Sequence, residues 1–277
     1  MTQCRRGRAG HSLLELLVAL TMLGLVLAAV LGTTIRTWRT HGGHGARADL
    51  RAQLEAGAVA LATDLRPLSA FAGDLTAGTA RDSSLELRAL VGIATLCDTA
   101  AGTLSLRPVL APDALASPPL PAAGDVAWAL SEDDTSTTWH PATITSARQD
   151  ANACSGSGAV RIAVSDPAWP RVPNAPVRLT RLARWSLYRT ADGWFLGRRD
   201  WVHALGRFDV VQPVAGPFDS YPAGGLALRY LDTLGTDLSS GTSDTRRIAR
   251  VNITLRGRVR PGEPVDSQHV VVAVGER

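Results

Sequence analysis

A run of 20 residues without a charged side chain extends from Leu16 to Ile35. As an α-helix this run rises about 30 Å, which is the thickness of the hydrocarbon core of a bilayer. Three arginines lie in the short leader before it, and Glu15 immediately precedes it. The basic leader favours a cytoplasmic amino terminus, so the bulk of the chain is predicted to lie across the membrane.

Three interpretations of this segment compete. The first is an ordinary signal anchor. The second is a secretory signal peptide cut near residues 30–32, where small residues loosely satisfy a signal peptidase. Neither accounts for Glu15, because a charge near a bilayer costs roughly 2 to 3 kcal/mol and usually has a partner.

The third interpretation is cleavage between Gly10 and His11, which supplies that partner. The new ammonium group would stand four residues before Glu15, about 6 Å away along the helix axis. Between staggered, parallel helices the carboxylate of one chain could instead pair with the ammonium of its neighbour. Such a pair would fix both the register and the choice of partner.

Residues 10–20, GHSLLELLVAL, resemble the leader junction of the type IV filament family, which comprises type IV pilins and the pseudopilins of type II secretion. The glycine, the glutamate and the apolar run match the family pattern, whereas His11 stands where phenylalanine is usual. The resemblance implies that a prepilin peptidase cuts after Gly10 and methylates the amine of His11. It also implies that Glu15 forms the assembly salt bridge.

An amphipathic helix is predicted after this segment and is expected to end at Pro67, which disfavours helical geometry at the residue before it. Its apolar residues recur at spacings of three and four, and such a stripe needs a sheet to cover it. The stripe consists of Leu50, Leu54, Ala58, Leu61 and Leu65. Asp64 and Arg66 are expected at the exposed end of this helix.

Three glycines, Gly42, Gly43 and Gly45, lie between the two helical segments. Glycine is conformationally permissive, so these residues are expected to bend or interrupt the helix there. The resemblance likewise implies a hinge at this junction.

From residue 83 onward the hydrophobic period changes to two, which predicts strands. Nine sequences show it: SLELRALV, TLSLRPVL, DVAWAL, AVRIAV, VRLTRLARWSLY, WFLGRRDWV, LALRYL, ARVNITLRGRV and HVVVAV. Two stretches between them, 111–124 and 131–158, are predicted as loops because they are rich in proline and alanine or in small polar residues.

The phrase LRAQLEAGAVALATDLRPLSA resembles PilW-like minor pilins and J-type minor pseudopilins, and the chain is longer than a usual major pilin. The resemblance implies a pilin-like α+β fold, with a long helix packed on a mainly antiparallel sheet. The implied divisions are a leader (1–10), a transmembrane and filament-core helix (11–38), an amphipathic half (39–67) and a periplasmic β-rich domain (68–277).

The resemblance also implies the partners and the location of the chain. The partners are prepilin peptidase, other pilins or pseudopilins of the same filament, and an inner-membrane assembly platform. The chain is expected to cross the inner membrane once and then to enter a filament, at its tip or in a priming complex. A subunit for DNA uptake or adhesion is an alternative.

Charge and cysteine usage depend on the same cleavage. All 29 basic residues are arginine, and loss of the leader would leave 26 basic against 25 acidic side chains. A polyanionic partner such as nucleic acid is therefore not implied. Loss of Cys4 would leave Cys97 and Cys154, which form either a disulfide in an oxidising compartment or two buried thiols.

Two further groups of residues are candidate sites. Arg178, Arg181, Arg184 and Arg189 form either an anion-binding face or, as we favour, a solvated face that guards a sheet edge. Asp232, Asp237 and Asp244 form either a calcium loop or, as we favour, a hydrated turn, because their spacing fits no EF-hand. Enzyme, phosphate-loop and dinucleotide motifs do not occur, so a structural protein without a cofactor or metal is predicted.

Overall fold

The computed structural model describes residues 13–69, 73–100, 103–108, 120–133, 136–150, 152–155, 159–238 and 244–274. It divides into two units, Met1–Asp49 and Leu50–Arg277. The described part contains one α-helix, α1 (Leu13–Leu65), followed by strands. The fold is α+β, with a long amino-terminal helix and a mainly antiparallel sheet domain, which confirms the predicted fold class.

Helix α1 continues through Gly42, Gly43 and Gly45, so the predicted interruption of the helix is wrong. A glycine in a helix interior costs about 1 kcal/mol relative to alanine, which is too little to end a helix whose other residues favour it. A bend at this junction stays a prediction. The helix ends at Leu65, two residues before Pro67, as the proline predicted.

The second half of α1 buries the predicted apolar stripe. Its members are at most 7% exposed: Leu50, Leu54, Ala58, Leu61 and Leu65. Spacings of three and four place these side chains on one face of the helix, while the opposite face carries exposed residues such as Ala52 and Ala56. The stripe is one side of a core that sheets complete.

Thirteen strands are assigned in the described residues, and all their pairings are antiparallel. They are β1 (Ser84–Ala100), β2 (Thr103–Pro108), β3 (Val126–Asp133), β4 (Ser136–Gln149), β5 (Val160–Val164), β6 (Pro176–Thr190), β7 (Gly193–Val202), β8 (Arg207–Phe208), β9 (Gln212–Phe218), β10 (Leu226–Leu231), β11 (Asp237–Leu238), β12 (Arg250–Gly257) and β13 (Asp266–Ala273). The nine predicted strands are confirmed; β4, β8, β9 and β11 were not predicted.

Strand β4 lies inside the stretch 131–158, so the prediction of a loop there is wrong. It pairs with β3 on one side and β5 on the other. Of its described side chains only Ala142 and Ile144 are buried. The strand therefore lacks the alternating apolar residues that would have marked it in the sequence. Most of the other predicted loop, 111–124, lies outside the described residues.

Six strands close into a small barrel. The path runs from β1 through β2, β5, β4 and β3 to β6, and β6 pairs again with β1. A separate hydrophobic cluster fills it: Ala94, Leu96, Leu104, Leu106, Ala127, Ala129, Ala142, Ile144, Val160, Ile162, Trp169, Val177 and Leu179. A closed path of strands leaves no free edge among these six.

A second core lies between the second half of α1 and the remaining strands. Strands β10 to β13 form a four-stranded sheet in the order β11, β10, β12, β13. Strands β1 and β6 belong to both cores, because they are long enough to extend beyond the barrel. Leu87 and Trp185 face the helix-covered core, whereas Leu96 and Leu179 lie in the barrel.

Candidate functional site

The amino-terminal site predicted from the sequence consists of Gly10, His11 and Glu15. Gly10 and His11 lie outside the described residues, so cleavage and methylation there stay predictions. Glu15 lies in the first turn of α1, and its side chain is exposed. A carboxylate is stabilised at that end of a helix, because the unpaired backbone N–H groups there carry partial positive charge.

The helix that follows Glu15 has an exposed apolar surface. The segment Leu13–Trp38 is long and apolar enough to cross a membrane. Its large apolar side chains are between 48% exposed, at Val18, and 83% exposed, at Leu13. Exposure of so much apolar surface to water is unfavourable, so this helix requires lipid or other helices around it.

The hydroxyl groups of this segment find partners within the helix itself. Thr21 donates a hydrogen bond to the carbonyl oxygen of Val18 at 2.9 Å. Thr33 and Thr34 both donate to the carbonyl oxygen of Val30, each at 2.8 Å. Lipid offers no hydrogen-bond partners, so such internal bonds allow threonine in a helix that crosses a bilayer.

The structure joins Cys97 of β1 to Cys154 in a disulfide, with the two Cα atoms 5.5 Å apart. Arg107 of β2 donates a hydrogen bond to the carbonyl oxygen of Cys154 at 2.7 Å. The bridge and this bond attach the segment 152–155 to the β1–β2 hairpin. That the bridge forms in the mature protein stays a prediction, because it depends on an oxidising compartment.

Three of the four arginines of β6 are neutralised by carboxylates. The pairs are Arg178 with Asp74 at 2.8 Å, Arg181 with Asp125 at 2.7 Å, and Arg184 with Glu86. Strand β6 also lies inside the sheet, between β1 on one side and β3 and β7 on the other. The interpretation of these arginines as guards of a sheet edge is therefore wrong, and they do not form an uncompensated basic face.

Asp64 was expected at the exposed end of the helix, but its side chain is only 16% exposed. Its carboxylate accepts hydrogen bonds from the indole N–H of Trp185 at 2.9 Å and from Arg198 at 2.9 Å. Burial raises the pKa of Asp64, and the charge of Arg198 opposes that rise. The group ties the end of α1 to β6 and β7, and no local pattern in the sequence indicates it.

Two of the three aspartates considered as a calcium loop, Asp232 and Asp237, have partners within the protein. One carboxylate oxygen of Asp232 accepts hydrogen bonds from the backbone N–H groups of Leu234 at 2.9 Å and Thr236 at 2.8 Å. These bonds, led by that of Thr236, lower the pKa of Asp232. Asp237 pairs with Arg229 at 2.8 Å. No cluster of three or more metal-ligating side chains occurs among the described residues.

Residues 5–31 match a family model described as the prokaryotic N-terminal methylation motif. No curated protein and no solved structure matches the chain. Proteins with this motif are structural subunits that a prepilin peptidase processes and that assemble with other pilins. The exposed apolar helix agrees with membrane anchoring through a single segment. The amino-terminal segment of the chain is therefore similar to that of type IV pilins and pseudopilins.

Proposed function

We propose that the chain is a minor pilin or minor pseudopilin, cut after Gly10 and methylated at the amine of His11. It is then built into a type IV pilus or a type II secretion pseudopilus, at the tip or in a priming complex. One observation carries the proposal: the methylation motif at residues 5–31 continues into an exposed apolar helix whose first turn holds an acid.

In this proposal Glu15 selects the partner and sets the register. It is the one charged residue from 13 to 35, so its pairing is the one strong electrostatic term available to this surface. A carboxylate in a medium of low dielectric gains much more from an ammonium partner than it would in water. A neighbouring subunit offers that ammonium at its new amino terminus, and a shift along the filament axis would leave both charges unpaired.

The remaining assignments follow from charge and length. The basic leader favours a cytoplasmic start, so we infer that the sheet domain lies in the periplasm. That compartment permits the Cys97–Cys154 disulfide. A chain of 277 residues is long for a major pilin, which favours a low-copy subunit. We infer no nucleic-acid partner, because three of the four arginines of β6 are paired with carboxylates.

The mature amino terminus tests the cleavage. Mass spectrometry of the chain purified from its native membrane should find a first residue His11 that carries one additional methyl group. A mature chain that starts near Thr33 would instead identify an ordinary signal peptide, and an intact leader would identify a simple signal anchor.

The Glu15→Gln substitution tests the role of the acid. It keeps the size of the side chain but removes the charge that pairs with the ammonium, so we expect subunit incorporation into filaments to be lost. Glu55→Gln is the matched control, because Glu55 is exposed on the same helix outside the apolar segment. Normal incorporation of the Glu15 variant in sheared filament fractions would refute the proposed pairing.

The subunits that copurify with the chain would distinguish a type IV pilus from a type II secretion pseudopilus. After mild solubilisation of native membranes, a tagged chain should copurify with other minor subunits of one filament. Pilus subunits would assign it to the PilW-like branch, whereas pseudopilins would assign it to the J-type branch.

A further inference from the structure

Strand β13 ends the four-stranded sheet, because among the described strands it pairs with β12 alone. It is eight residues long, and its pairing with β12 runs from Asp266 to Ala273 without a register shift. A strand at the end of a sheet presents a row of unpaired backbone N–H and C=O groups, which can pair with another chain. We call the side of β13 that faces away from β12 the β13 edge.

The hydrogen bonds of the ladder show which backbone groups lie on the β13 edge. The N–H of Val274 donates to the carbonyl oxygen of Ala249, the residue before β12, at 2.9 Å. The direction of the backbone groups alternates along an antiparallel strand, so every second residue of β13 points its N–H and C=O away from β12. These residues are Ser267, His269, Val271 and Ala273. Within the described part of the chain, no hydrogen bond reaches their outward backbone groups.

The other described strands that lie at the end of a sheet are protected. Strands β8 and β11 are two residues long, and Asp237 of β11 pairs with Arg229. Strand β9 contains Pro213 and Pro217, and its pairing with β7 has two register shifts. Short length, prolines and bulges are common means by which proteins prevent edge-to-edge pairing. The β13 edge has none of these features, so the fold leaves it open.

The solvent-facing side chains of β13 also differ from those of its neighbour. On this face β12 carries Arg250 and Arg256, whereas β13 carries Val271, which is 51% exposed. No lysine, arginine, aspartate or glutamate occurs from Ser267 to Ala273. Like charges directly opposite each other destabilise a pair of strands, so a charged edge would repel a second copy of itself. The β13 edge lacks such charges, and this favours a second copy of the chain as its partner.

A second copy fits the β13 edge in an antiparallel register centred on Val271. Val271 then lies opposite Val271 of the second copy, and His269 lies opposite Ala273 of the second copy. Because all of these residues point their backbone groups outward, the register forms about six hydrogen bonds, two for each residue pair. On the core face of the sheet, Val270 lies opposite Val272 of the second copy, so apolar side chains meet on both faces. A register centred on His269 would instead place two imidazole rings opposite each other.

We propose that two copies of the chain pair through their β13 edges and form one continuous antiparallel sheet across a two-fold axis. Main-chain hydrogen bonds supply the affinity, as in other cases where a strand is added to a sheet edge. The uncharged edge lets like surfaces meet, and the valine pair at the centre of the register excludes water. The interface is isologous, because the same residues of both copies form it. It goes beyond the role in filament assembly, and it requires neither leader cleavage nor Glu15.

The first test is sedimentation equilibrium of the full chain in detergent. It should find a monomer–dimer equilibrium with a Kd of about 1 to 100 μM. Val271→Pro should weaken the dimer at least about tenfold, because proline lacks the outward N–H at the centre of the register. That N–H has no partner within the sheet, and an edge strand tolerates proline at such a position, so the variant should still fold.

A lysine variant tests the same edge with its backbone donors intact. Val271→Lys places two ammonium groups opposite each other and should also weaken the dimer at least about tenfold. Val210→Lys is the matched control, because Val210 is 78% exposed and lies outside β13. It should leave the dimer unchanged.

Cysteine cross-linking tests the register. In a chain that also carries Cys4→Ser, Val271→Cys places two thiols opposite each other. The two Cα atoms at this position would lie about 5.5 Å apart, a separation that a disulfide spans. Oxidation by air with copper phenanthroline should therefore give a covalent dimer. Leu234→Cys, at a side chain that is 89% exposed between β10 and β11, should give much less.

Four outcomes would overturn the proposal. The chain could stay monomeric up to about 200 μM, or both variants, Val271→Pro and Val271→Lys, could dimerise as tightly as the wild type. Val271→Cys could cross-link no better than Leu234→Cys, or it could cross-link in native membranes only to a different subunit. None of these outcomes affects the assembly role, which the Glu15 variant tests in filaments.

Discussion

The two halves of α1 are both rich in apolar residues, but the first half exposes them and the second half buries them. Residues 16–35 carry no charge on any side, and their large apolar side chains are exposed, as at Leu25, which is 69% exposed. Residues 50–65 confine their apolar side chains to one stripe, and Leu61 is fully buried. The difference lies in the distribution around the helix, which reveals what surrounds it: hydrocarbon or other helices for the first half, a sheet for the second.

The largest expected effect on stability comes from the half of α1 that the sheets cover, residues 50–65. Leu61→Ala should lower the free energy of unfolding of the sheet domain by about 2 to 5 kcal/mol, because it leaves a cavity in the helix-covered core. Leu25→Ala, the control in the exposed half, should leave it unchanged. Urea unfolding of the chain in detergent, followed by tryptophan fluorescence, measures both. Equal losses in the two variants would contradict the contrast.

The exposed half should respond to charge instead. Leu25→Arg should weaken membrane insertion by about 3 kcal/mol, because an arginine near the middle of a bilayer-spanning helix is costly. Alkaline extraction of membranes should then release part of the chain. Glu55→Arg also adds an arginine to α1, but it replaces an exposed residue outside the spanning segment and should leave the chain in the membrane fraction.

Replacing a glycine in each half of α1 by valine should give a smaller difference in stability. A Cβ at Gly57 would lie 3.0 Å from Leu255 and 3.3 Å from Phe218, so Gly57→Val should destabilise the sheet domain by about 1 to 3 kcal/mol through overpacking. A Cβ at Gly24 meets nothing within 4 Å. Gly24→Val should therefore leave thermal unfolding of the domain unchanged. A stability gain at Gly57 would show that the helix stands off the sheet.

The smallest expected effect concerns acid and lies outside the helix. The lowered pKa of Asp232 means that its contribution to stability is present above its ordinary value of 3.8 and is lost as the pH falls through the lower folded value. Asp232→Asn should therefore lower Tm at neutral pH, and its difference from wild type should shrink below pH 3.8. Asp237→Asn is the control, because it removes a carboxylate from the exposed pair with Arg229. It should change Tm less than Asp232→Asn does. A difference that grows in acid would refute this account.

The sequence predicts what depends on local periodicity. The stripe that ends at Leu65 and the nine strands were visible, because each signals its own buried face in consecutive residues. Strand β4 was not, since only Ala142 and Ile144 of its described side chains are buried. The expected interruption at the glycines failed because a permissive residue allows a break without requiring one.

Contacts between residues far apart in the chain could not be predicted from the sequence. The barrel closes where β1 pairs with β6, about a hundred residues later in the chain. No local sequence pattern predicts this pairing. The same holds for Asp64, whose partners Trp185 and Arg198 are more than a hundred residues away. By contrast, the amino-terminal motif is contiguous, and the family match at residues 5–31 covers it.

The passage of β1 and β6 through both cores has a consequence for how the sheet domain denatures. The barrel cannot separate from the helix-covered layer without breaking ladders that both of them use. Melting of either part therefore removes strands from the other, and calorimetry should record one cooperative transition for the two cores rather than a sequence of independent steps.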